Sequence, residues 1–87
     1  MTLEKVIRNL KGLDTATSLS DFYSDIVIAF ENYEYEGVSK IQVTQDGNGV
    51  FQAYADHINS PVVFIKTDDE LTTNTGEYKI LDIKIYR

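Results

Sequence analysis

The sequence predicts an α+β domain in which two N-terminal helices pack on one face of a four-stranded, mainly antiparallel sheet. Three observations lead there. Apolar residues recur at helical spacing before Gly37, and they alternate with a period of two from Val38 onward. The connections after Val38 are too short to hold crossover helices, so the strands pair antiparallel. A chain of 87 residues supports one domain, 1–87, with a single modest core.

The first helix covers residues 2–11. Leu3, Val6, Ile7 and Leu10 form its apolar stripe, and Glu4, Lys5, Arg8 and Lys11 take the other side. Thr2 is the expected N-cap, Lys11 suits the negative end of the dipole, and Gly12 marks the stop. Asp14-Thr15-Ala16-Thr17 is a connection. The second helix is expected to start near Ser18, with Asp21 three residues on as a capping-box variant, and to be closed by Gly37. Leu19, Phe22, Tyr23, Ile26, Phe30 and Tyr33 follow its apolar spacing. Asp21, Asp25 and Asn32 fall on the opposite side, where Ile28 is the odd apolar member. Ile26-Val27-Ile28 is β-branched, so a strand starting at Asp25 is the competing assignment.

Residues 39–44 and 50–55 flank Gln45-Asp46-Gly47-Asn48-Gly49, a turn sequence, and are expected to form a hairpin. Residues 62–66, apolar from Val62 to Ile65, predict a third strand covered on both sides. Residues 67–76 are polar and turn-forming, and 77–87 form the last strand, with Leu81, Ile83 and Ile85 on one face. The expected core is Leu3, Leu10, Phe22, Ile26, Phe30, Val43, Phe51, Phe64, Ile83 and Ile85.

Composition narrows the function. There is no cysteine, so stability comes from packing rather than from disulfides or thiolate metal sites. No apolar run nears the roughly 20 residues of a membrane-spanning helix, and the N-terminus lacks a signal-like apolar stretch. A cytoplasmic protein is expected, in the host cytoplasm if phage-encoded. The net charge of −6 opposes direct binding to nucleic-acid backbones or anionic membranes and permits attraction to basic surfaces.

Three chemical motifs fail on their context. His57 has Asp56 and Ser60 nearby, but Ser60 precedes Pro61 and lacks the strained turn of a nucleophile. Asp46-Gly47-Asn48-Gly49 lacks the ligand spacing of a calcium loop. Asp68 or Asp69 upstream of Glu77-Tyr78-Lys79 has the order of a Mg²⁺ nuclease site, without the basic track such an enzyme needs. The expectation is a non-enzymatic protein with no cofactor and no metal.

What remains is an acid-aromatic block. Between Gly12 and Ser39 lie Asp14, Asp21, Asp25, Glu31, Glu34 and Glu36, with no Lys or Arg among them. A solvated helix face with core aromatics would account for it. Glu31, Glu34 and Glu36 would then stand toward the C-terminus of the second helix, where the dipole disfavours acids. Tyr33, Tyr35 and Tyr86 cannot all be buried, and exposed tyrosine among acids suits a protein-binding surface. The candidate partner-binding set is therefore Asp21, Asp25, Glu31, Tyr33, Glu34, Tyr35 and Glu36, extended by Asp68, Asp69 and Glu70. In size, acidity and lack of cysteine the chain resembles the small inhibitors of nucleases and CRISPR effectors made by phages and mobile elements. That resemblance implies a partner with a basic, nucleic-acid-handling surface. An immunity-type protein against a toxin nuclease, or an assembly subunit that self-associates through a sheet edge, are the alternatives.

Overall fold

Helices α1 (Leu3–Lys11) and α2 (Leu19–Ala29) precede strands β1 (Ile41–Gln45), β2 (Val50–Ala55), β3 (Val62–Thr67) and β4 (Ile80–Tyr86) in a computed structural model. The structure describes residues 2–13, 19–46, 49–67 and 79–87. The strands form one antiparallel sheet in the order β1-β2-β3-β4, and both helices lie N-terminal to it, as the α+β expectation required.

Local chemistry accounts for α1. Thr2 Oγ1 accepts a hydrogen bond from the Lys5 N–H at 3.3 Å, Glu4 sits in the first turn, and Arg8 and Lys11 sit in the last. Leu3, Val6 and Leu10 bury its apolar stripe. Arg87, just past β4, pairs with Glu4 at 3.3 Å, and Lys11 lines a surface hollow with Ile80–Ile83. So α1 runs along β4, in the opposite direction. Both members of the Glu4–Arg87 pair are exposed. The Glu4 carboxyl is held below its usual range by a hydrogen bond from its own backbone and, secondarily, by Arg87.

The second helix is shorter than its sequence suggests. It ends at Ala29, well before Gly37, because Asn32 turns the chain through the left-handed region with φ at 65°. The carbonyls of residues 27–30 are satisfied. Those of Val27, Ile28 and Phe30 accept from the N–H groups of Phe30, Glu31 and Tyr33, and that of Ala29 accepts from the Asn9 side-chain amide at 3.2 Å. The β-branched run Ile26-Val27-Ile28 is helical, since the helical phase buries Phe22, Ile26, Ala29 and Phe30 together. Ser18, the expected cap, lies outside the described residues.

Gly37 has a different task. Tyr35 and Val38 exchange both backbone hydrogen bonds at 2.9 Å, and the intervening Glu36 and Gly37 have φ of 49° and 79°. Two positive φ values between paired residues define a type I′ turn. After it the chain enters β1, two residues later than the alternation indicates.

The core lies between the helices and one sheet face. Phe51 of β2 is fully buried, with the rings of Phe22 and Tyr23 edge-on to it at 4.9 Å and 5.5 Å. Val63 and Ile65 are buried beside it, while Val43, Ile83 and Ile85 pack half-buried at its margin. Three expectations are corrected here. Strand β3 is covered on one side only: Val63, Ile65 and Thr67 are buried, whereas Lys66 is exposed on the other side. Phe64 therefore belongs to the outer face, opposite Gln52 and Lys84, with its ring 6.4 Å from that of Tyr86. Leu81 also leaves the core side. Lys66 pairs with Asp82 and Thr67 with Ile80, so Leu81 is the extra residue of a bulge and is 55% exposed, while Ile80 takes its place inward.

Thr67 closes this end of the sheet. It is the buried polar residue among those described, and its backbone N–H and its hydroxyl both donate to the Gly49 carbonyl at 2.9 Å. Asp46 starts the β1–β2 turn by accepting from the Val50 N–H at Oδ1. Its carboxylate thus shapes the turn, and no metal-binding group of acids and histidines occurs among the described residues.

Candidate partner-binding site

The early end of α2 redistributes the acid block. Asp21, Asp25 and Ile28 share one stripe of the helix at i, i+4 and i+7. Glu31 and Glu34 follow beyond the helix terminus rather than in its last turns, so the dipole cost expected for acids inside the helix applies at most to Glu31. Beside them lies a shallow groove of about 890 Å³. Val27, Ile28, Phe30 and Tyr33 give it an apolar floor, Glu31 and Glu34 stand along one side, and Ser39, Lys40 and Ile41 form the other. Val27 and Ile28 expose 46% and 60% of their surface.

Electrostatics sharpen the picture. The ion pairs among the described residues are Lys84–Asp82 and Arg87–Glu4. Neither involves Asp25, Glu31, Glu34 or Glu36. Arg8 lines a second hollow together with Ile28, Glu31 and Asn32, without pairing to Glu31. Glu31 and Glu34 are exposed and line the groove beside Val27 and Ile28.

The tyrosines part company. Tyr33 is buried, edge-on to Phe30 at 5.7 Å, and burial chiefly raises the pKa of its hydroxyl, helped by Tyr35 nearby. It is a buried floor residue, in keeping with its place on the apolar spacing. Tyr35 is half-buried against His57, ring centroids 5.2 Å apart, and Glu36 stands at the tip of the adjoining turn. Neither lines the groove. Tyr86 is 71% exposed, but on the outer sheet face, away from the acid stripe. Asp68, Asp69, Glu70 and Glu77 lie outside the described residues; Lys79 is exposed just before β4.

His57 and Ser60 serve the turn after β2. His57 Nδ1 accepts from the Asn59 N–H at 3.0 Å, and the Ser60 hydroxyl accepts from the Ala55 N–H and donates to the Pro61 carbonyl. The hydroxyl is committed to backbone partners. Neither side chain is placed as in a nucleophile–base pair, where the hydroxyl would hydrogen-bond the imidazole.

Sequence reasoning missed Val27, Lys40 and Ile41 as groove residues and Asn32 as the helix stop. Asn32 was legible, because asparagine is the commonest non-glycine residue at a left-handed helix terminus. Ile28 was visible as an apolar residue on an acidic stripe. Lys40 and Ile41 carried no signal, since their place beside α2 follows from how the sheet docks. In comparisons with known proteins, no family model, no curated protein and no solved structure matches this chain.

Proposed function

We propose that the protein is a non-enzymatic binding module that engages a basic surface of a nucleic-acid-handling partner through the groove at the end of α2. One observation supports this above the others: Glu31 and Glu34, without ion-pair partners among the described residues, stand over a floor where Val27 and Ile28 are exposed. Aliphatic surface contributes contact area, and the carboxylates select Arg and Lys and speed encounter. Where the basic surface is the partner's nucleic-acid track, occupancy excludes the nucleic acid, and the module acts as an inhibitor.

The test is competitive. Immobilised protein should capture nucleic-acid-binding proteins from a host lysate at low salt, release them as salt rises, and lose them to excess duplex DNA. The double substitution Glu31→Gln with Glu34→Gln should abolish most of the capture. Retention that ignores both DNA and these substitutions would refute the assignment.

A further inference from the structure

The open edge of the sheet adjoins the groove, and the two surfaces are continuous through Ile41. Strand β1 pairs with β2 alone. Its hydrogen-bond phase follows from its two ends: the Asp56 N–H donates to the Lys40 carbonyl, and the Asp46 N–H donates to the Val50 carbonyl. In an antiparallel pair the bonded positions alternate, so Lys40, Gln42, Thr44 and Asp46 direct their backbone groups to β2. Ile41, Val43 and Gln45 direct theirs outward, at the two-residue spacing another strand requires. No described residue bonds them from that side.

The two sheet edges are not equivalent. On β4, Asp82, Lys84 and the bulge at Leu81 obstruct a further strand. Ile41-Gln42-Val43-Thr44-Gln45 has no charge, no proline and no register shift. An uncharged, regular edge is the kind that accepts a strand.

We propose that β1 receives an extended, basic segment of the partner as a fifth strand, antiparallel to β1. This rests on the reading of the groove as the recognition surface and specifies how it recognises. Charge decides the occupant. The acids stand at the Lys40 end of β1, where the groove begins. In an antiparallel addition, the residues that follow the paired stretch arrive there. The segment is therefore β-branched and apolar at alternate positions, then Arg- or Lys-rich, with its aliphatic side chains continuing the floor of Val27 and Ile41. A second copy of this chain fits less well. Pairing two β1 edges about a two-fold axis brings no basic run to Glu31 and Glu34 and joins two chains of charge −6.

The test uses the full chain and a capped synthetic peptide of alternating valine and threonine closed by an arginine run. Amide exchange is read residue by residue. The peptide should newly protect the Ile41, Val43 and Gln45 amides, while those of Gln42 and Thr44 are protected before and after. N-methylation of alternate peptide amides should abolish binding. Gln45→Pro, which removes an outward donor at an exposed edge position where proline is tolerated, should weaken it. Glu31→Gln with Glu34→Gln should weaken it roughly tenfold and flatten its salt dependence. Binding that depends on the two glutamates but not on peptide or β1 amides would overturn strand addition and leave basic recognition standing. Binding indifferent to the glutamates would overturn both. Concentration-dependent dimerisation with the same β1 amides protected in the absence of peptide would assign the edge to a second copy and overturn the proposal.

Discussion

Glu36 carries the clearest local cost in the described chain. A glutamate at φ 49° has its Cβ crowded against the following carbonyl, a position that asparagine and glycine occupy more readily. Gly37, at φ 79°, is the residue that this half of the turn demands. Glu36→Asn would give the Asn-Gly pair favoured in type I′ turns. It should stabilise the domain by roughly 0.5–1 kcal/mol, raising Tm by a few degrees, as calorimetry would show. An unchanged Tm would mean that the glutamate side chain compensates for its own strain. Asn32 shows the same physics used economically, because asparagine tolerates the left-handed region and ends α2 there.

At the scale of the element, β4 separates pattern from register. Leu81, Ile83 and Ile85 alternate perfectly in sequence, yet the bulge opposite Lys66 and Thr67 breaks the phase between Ile80 and Asp82. A plain alternating strand would make Leu81→Lys as damaging as Ile83→Lys. With the bulge, Leu81→Lys should change stability by no more than about 0.5 kcal/mol. Ile83→Lys forces an ammonium toward the core margin and should cost about 2 kcal/mol or more. Chemical denaturation of the two variants measures the difference directly. The helices divide similarly. Thr2, Lys5 and the charged last turn define α1 locally, whereas α2 takes its phase from the core and has its Ala29 carbonyl bonded by Asn9.

Over the whole molecule, the acid groove and the outer sheet face lie on opposite sides of the sheet. Asp25, Glu31 and Glu34 lie on the helix side without ion-pair partners among the described residues, while Tyr54, Phe64, Lys84 and Tyr86 belong to the opposite sheet face. Because Glu31 and Glu34 form no ion pair among the described residues, Glu31→Gln with Glu34→Gln should leave the fold's stability within about 0.5 kcal/mol of the parent. Any shift should be toward higher stability at low salt, where self-repulsion is least screened. Thermal melts at two salt concentrations check this. Loss of partner capture with stability retained would then report on recognition rather than folding.

The linear order of residues determined the two helices followed by four strands, the hairpin of β1 and β2, and most of the core, from Leu10 and Phe22 to Phe51. These depend on spacing and turn chemistry, which act over a few residues. Tertiary packing decided that Phe64 faces outward and that Ile80 replaces Leu81 inside. It also set Glu31 and Glu34 opposite Lys40 and Ile41. Each of these is settled by which surfaces, distant along the chain, shield one another from water, and no local pattern carries that information.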